Sequence, residues 1–130
     1  MVVSSIAAFA PTSNEFAVLY GPVKTFMNRF VEAINSAYNK DKIYATSVCP
    51  GFTSTEFHEM SGTQDRMDKV PSFMKMSSDD VAKEGILGMD RKKEIVITGA
   101  LNRFLINLLR FFPRPLIKII GNALAGGRYK

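Results

Sequence analysis

Between Tyr20 and Tyr38 the apolar positions Val23, Phe26, Met27, Phe30, Val31 and Ile34 recur every three or four residues. That spacing predicts one apolar face of an α-helix. The sequence Thr12-Ser13-Asn14-Glu15 offers a capping box upstream, and Pro22 is tolerated only close to a helix start. The regular part is therefore expected from about Ala17, with a distorted first turn. A β-branched run, Val2-Val3-Ser4-Ser5-Ile6, precedes it and reads as the end of a strand emptying into an Ala-rich loop. Lys42 to Val48 reads as a buried strand, with a loop from Cys49 and a stop at Pro50-Gly51. Ser77-Ser78-Asp79-Asp80 supplies a cap and first-turn acids for a helix to about Met89, and Glu94 to Thr98 reads as a further strand. Leu101 to Phe112 is an apolar helix halted by Pro113 and Pro115, and Leu116 to Leu124 is a second apolar stretch. Helix and strand alternate, which predicts an α/β fold with parallel strands. The segment Phe52 to Met76, polar and seeded with Met60, Met67, Phe73, Met74 and Met76, reads as an irregular lid-like stretch or adaptable core filler.

Composition narrows the classes. The 130 residues, 46% of them hydrophobic, suit one packed domain without an internal boundary. The single cysteine, Cys49, cannot form an internal disulfide, and no signal-peptide pattern opens the chain, so a cytoplasmic setting is expected. The net charge of +5 lies wholly in the tail: Arg103, Arg110, Arg114, Lys118, Arg128 and Lys130 are accompanied by no acid. These cations alternate with Leu, Ile and Phe, which suits a basic amphipathic surface and argues against nucleic acid. Residues 101–124 are expected to pack within an oligomer or on further polypeptide, or else to touch a membrane surface peripherally. Neither apolar stretch is long enough to span a bilayer alone. His58 has no histidine or cysteine neighbours at ligand spacing, so no metal is expected.

Tyr20 and Lys24 stand four apart, one turn of helix, on one face. A cation about 4 Å from a phenol contributes a Coulomb term of about 4 kcal/mol in a partly screened site. That matches what lowering a phenol's pKa by about three units requires, so such a pair suits proton exchange with a carbonyl or alcohol. Ser4-Ser5 at one strand end offers a hydroxyl to the same oxygen. The sequence Pro50-Gly51-Phe52-Thr53-Ser54-Thr55 closes the next strand, and ligands of open α/β sheets gather at such ends.

Three segments, Val-Val-Ser-Ser-Ile-Ala-Ala, Tyr-Gly-Pro-Val-Lys and Cys-Pro-Gly-Phe-Thr-Ser-Thr-Glu-Phe, closely resemble successive motifs of the short-chain dehydrogenases/reductases, in the family's order. The resemblance runs from Val2 to Gly99 and covers the family's carboxyl-terminal half. It implies a partial Rossmann-like, doubly wound parallel sheet lacking the amino-terminal βαβ units, followed by amphipathic helices. It implies catalytic roles for Ser5, Tyr20 and Lys24, with Tyr20 as general acid/base. Lys24 would assist Tyr20 and hold the nicotinamide ribose, and Pro50, Gly51, Thr53 and Thr55 would border the nicotinamide. The implied reaction is hydride transfer between NAD or NADP and a carbonyl or secondary alcohol, with an apolar small molecule as substrate. No Gly-x-x-x-Gly-x-Gly occurs in the chain. Cofactor binding by these residues alone is therefore expected to be weak, as in a truncated enzyme. The alternative is a non-catalytic remnant or association module. The long spacing between Ser5 and Tyr20 leaves Ser4 as a second choice for the serine.

Overall fold

The computed structural model describes residues 1–10, 18–55, 68 and 70–113. Its centre is a three-stranded, all-parallel sheet of β1 (Val2–Val3), β2 (Ser47–Cys49) and β5 (Ile95–Ile97), in that spatial order. The register sets Val3 beside Val48 and Val48 beside Val96, so these three valines share one face. Ser47 and Cys49 face the other way. Two helices, α1 (Tyr20–Tyr38) and α2 (Ser78–Asp90), take one face each. On the α2 side, a Cβ built on Gly85 would lie 3.0 Å from Val48, and one on Gly88 would lie 2.2 Å from Val96. The two glycines thus let the helix backbone settle on the valine row. On the α1 side, Asn28 accepts a hydrogen bond from Ser47 Oγ at 2.7 Å, and Val31 is buried. This is the expected α/β architecture, a partial Rossmann-like unit with helices on both faces of a parallel sheet.

Several boundaries move. Helix α1 starts at Tyr20, not near Ala17; its first i→i−4 bond runs from Val23 N to Leu19 O at 2.9 Å. Pro22 therefore sits in the first turn, where its missing N–H would have had no helical partner. The capping box at Thr12 to Glu15 lies outside the described residues. The strand expected from Lys42 begins only at Ser47, because Lys42 is left-handed at φ 60° and closes a short 3-10 turn. Cys49, expected to open a loop, ends β2 and is fully buried. After Val3 the chain enters a 3-10 turn, Ile6–Ala8, not a plain loop.

Helix α2 is capped as its sequence predicts: Ser77 Oγ accepts from Asp80 N at 3.1 Å, with Asp79 and Asp80 in the first turn. The lid-like segment contains order that its pattern hides. Strand β3 (Thr53–Ser54) pairs in parallel with β4 (Met76–Ser77), bringing both ends of the excursion together. Met60 and Met67, and His58, lie outside the described residues. Helix α3 (Ala100–Leu109) ends before Pro113; the stretch from Leu116 lies outside the described residues. Among the described residues, no helix is long and apolar enough to cross a membrane, and no cluster of His, Cys, Asp or Glu could hold a metal.

Candidate active site

The end of β1 is built by two serines with different duties. Ser4 Oγ donates to the Lys24 carbonyl at 2.9 Å, tying the strand to the first turns of α1. Ser5, in extended conformation, accepts from Ala7 N at 3.1 Å through its Oγ and so caps the 3-10 turn. Accepting leaves the Ser5 proton uncommitted, whereas the Ser4 proton is spent. Thr25 Oγ1 lies 3.0 Å from the Ala8 carbonyl and 2.9 Å from the Gly21 carbonyl, which fastens the turn to the helix.

Tyr20, the first residue of α1, is 43% exposed. Lys24 reaches back over it, with Nζ 5.6 Å from the centre of the Tyr20 ring. The same ammonium donates to the Val3 carbonyl at 3.0 Å. Phenol and ammonium thus converge beside the strand end that carries both serines.

The second strand end completes the floor. The Pro50 carbonyl accepts from Ile6 N at 2.9 Å, joining the two loops. Gly51 admits no side chain, because a Cβ there would meet the Asn102 amide at 2.4 to 2.8 Å. Thr53 Oγ1 donates to the Gly51 carbonyl at 3.2 Å, and Thr55 is exposed beyond it.

All seven residues expected from the sequence, Ser5, Tyr20, Lys24, Pro50, Gly51, Thr53 and Thr55, line one cavity of about 420 Å³. Ser4 lines it too. The opposite wall is helix α2, through Ser78, Val81, Ala82 and Gly85. Sequence reasoning overlooked that wall, and its available signal was the Gly85 and Gly88 pair inside a helix. A helical glycine costs about 1 kcal/mol, which close packing offsets. Asn102 was overlooked as well. It is 6% exposed, donates to the Thr98 carbonyl at 2.9 Å, and presses on Gly51 from α3.

The volume lies within the range of small-ligand sites, roughly 300 to 1,000 Å³. Hydroxyls from Ser5, Tyr20 and Thr55 and the Lys24 ammonium suit a nicotinamide ring and its ribose. Nothing in the chain's sequence supplies a glycine-rich turn for a pyrophosphate. The residues present therefore fit the nicotinamide end of a dinucleotide.

Cys49 lies directly behind this site. Burial pushes its thiol up from the ordinary value near 9, against smaller lowering effects of its polar neighbours Ser47, Ser4 and Asn28, and the thiol itself donates to Asn28 Oδ1 at 3.5 Å. A buried neutral thiol packs and does not react.

Fold and cavity together define a class: a Rossmann-like α/β unit with a small-molecule cavity at the carboxyl ends of its parallel strands. Among solved structures, the chain is similar to a short-chain dehydrogenase from Sphingobium yanoikuyae in complex with NADPH. The two are 25% identical with a TM-score of 0.64, over 84% of this chain and 42% of that one. It also shares its fold with the bulky-bulky ketone specific alcohol dehydrogenase from Comamonas testosteroni, at 23% identity and a TM-score of 0.54, over 84% of this chain and 39% of that one. The chain thus spans about two fifths of the length of these structures. No protein-family model matches the sequence, and no curated protein does.

Proposed function

We propose that these residues form the catalytic half of an NAD(P)-dependent oxidoreductase that interconverts a carbonyl and a secondary alcohol. The observation that carries the reading is the convergence of Ser5, Tyr20, Lys24 and the Pro50 to Thr55 loop on one cavity. Likeness to an NADPH-bound short-chain dehydrogenase supports the same reaction type.

In this reading a bound nicotinamide supplies or accepts the hydride. Tyr20 gives a proton to the carbonyl oxygen in reduction and recovers it in oxidation. The Lys24 ammonium, 5.6 Å from the centre of the Tyr20 ring, orients the ribose hydroxyls. Ser5 donates its free proton to the same substrate oxygen, fixing the carbonyl for attack. Val3, Val48, Val81 and Ala82 give the cavity an apolar side, which suits an apolar substrate. The affinity for whole dinucleotide is weak in these 130 residues, because pyrophosphate recognition is not built into them.

The direct test is titration with nicotinamide mononucleotide, followed by amide shifts. Shifts at Gly51, Thr53 and Thr55 with a Kd near the millimolar range, about −4 kcal/mol, are expected. No change at those amides at about 10 mM ligand, a tenfold excess over such a Kd, sinks the reading.

A second reading, an association module without catalysis, is favoured by the apolar residues left outside. Phe26, Phe104 and Phe111 are 68%, 63% and 85% exposed. It predicts self-association without nicotinamide binding, read by sedimentation beside the titration above.

A further inference from the structure

Helix α3 turns its apolar side to solvent. Leu101, Phe104, Leu105 and Leu108 follow the i, i+3, i+4, i+7 spacing of a core-facing stripe. Each of them is nevertheless more than a third exposed, while the residues the helix buries are Asn102 and Ile106. Phe111 and Phe112 prolong the exposed stripe past the last turn, and Phe111 is 85% exposed. An apolar row of this length left facing water marks a surface with a partner.

Charge says which partner. Arg103, Asn107 and Arg110 recur at i, i+4 and i+7 on the flank of α3, and together with Arg91 and Lys93 they line a trough of about 670 Å³ beside β5. Arg103 is paired with Glu84 at 2.7 Å and also donates to the Ile97 carbonyl at 3.2 Å. Arg110 lies 5.9 Å from the centre of the Phe9 ring. Arg91, Lys93 and Arg110 have no carboxylate partner among the described residues. Of the acids nearby, Glu94 is held by Asn35 of α1 at 3.0 Å, and Asp90, at the end of α2, does not line the trough. From Leu101 to Lys130 the sequence contains no acid at all. At about 100° per residue, Phe104 falls between the leucine row and the arginine row, so rings and cations border one surface.

We infer that α3 docks flat on an anionic lipid bilayer. Its leucines and phenylalanines sink to the boundary between headgroups and acyl chains, and Arg91, Lys93 and Arg110 meet the lipid phosphates. With ten residues, the helix lies on the bilayer and does not cross it. Lipid suits the surface better than protein does. The stripe is convex, since none of its side chains lines the trough or the active-site cavity, and fluid acyl chains conform to protruding rings for which a protein must supply a matching groove. A second copy suits it less, because two such faces bring arginines together with no acid on either helix. No residue of α3 lines the active-site cavity, so docking leaves that lining free and the inference is independent of the catalytic reading.

The test is co-sedimentation of the whole chain with vesicles of phosphatidylcholine alone or mixed with phosphatidylserine. Binding to the mixed vesicles is expected to be at least about tenfold stronger, since each cation near an anionic surface contributes about fivefold. F104S/F111S, changed at the two most exposed rings of α3, should lose about tenfold or more on the mixed vesicles with its helix content unchanged by circular dichroism. R91Q/K93Q should lose about tenfold or more on the mixed vesicles and nothing on the neutral ones. Equal binding to both kinds of vesicle overturns the proposal, and no binding to either leaves α3 to further polypeptide and overturns it too. Release from the mixed vesicles by inorganic phosphate, but not by chloride of the same ionic strength, assigns the trough to a free anion and has the same consequence. If F104S/F111S binds lipid as the parent does but sediments as a smaller species without vesicles, α3 covers another copy and the lipid proposal fails.

Discussion

The Ser4 and Ser5 pair illustrates how neighbouring identical side chains acquire different duties from hydrogen bonding alone. Ser4 spends its proton on Lys24, so Ser4→Ala should cost about 1 kcal/mol of stability in urea unfolding and leave catalysis near the parent rate. Ser5 keeps its proton, so Ser5→Ala should lower turnover far more than stability; the reverse pattern would give the catalytic role to Ser4. Tyr20→Phe removes the proposed proton donor without disturbing packing, since the side chain is partly exposed. It should reduce carbonyl reduction by about 10²- to 10⁴-fold at saturating cofactor with little change in cofactor affinity. Cys49 gives a prediction in pH. Its folded thiol is raised by burial, so above the ordinary value near 9 the unfolded chain has lost a proton that the folded chain retains. Stability from this group is thus complete below pH 9 and declines as pH rises through the folded value. Cys49→Ala should flatten that decline in unfolding experiments between pH 8 and pH 10, about one unit either side of the ordinary value.

Helix α2 shows what a sequence pattern conveys and what it hides. Its cap, its first-turn acids and its length are local matters, and each was legible. The tightness of its contact with the sheet was not, because Gly85 and Gly88 matter through Val48 and Val96, residues distant in the chain. Gly88→Ala should destabilise by about 1 to 3 kcal/mol, since its Cβ would overlap a β-branched side chain fixed in the sheet. An unchanged urea midpoint would show that the helix can shift outward at no cost. The same distinction explains the lid segment. Its ends pair as β3 and β4 through two residues each, too short for any period to register. It also explains why the site residues were found while their support was missed. Tyr20, Lys24 and the Pro50 to Thr55 loop lie close to one another in sequence or at marked strand ends. Asn102 reaches Gly51 only after the chain has crossed the sheet twice.

At the scale of the molecule, the size of the buried side chains decides the argument. Among the described residues, the largest fully buried ones are Val31, Thr46, Thr98, Cys49 and Ser47, none of them aromatic. Several rings of the described residues lie outside: Phe26 stacks on Phe30 along α1, both at least half exposed, and Phe104 and Phe111 are exposed as well. Fully burying such a side chain contributes roughly 1.5 to 3 kcal/mol. Two rings per copy in a shared interface would add at most about 3 to 6 kcal/mol, a sizeable share of the marginal stability of a small domain, about 5 to 15 kcal/mol. The chain should therefore be most stable when that surface is covered, by further polypeptide or by another copy. Folding coupled to association makes the thermal midpoint depend on concentration. We expect Tm to rise measurably between micromolar and hundred-micromolar chain, and the rise to vanish in F26K/F30K, whose exposed positions tolerate charge. A midpoint constant across that range in the parent chain would mean that the small core suffices, and that the apolar face of α1 contributes nothing to its stability.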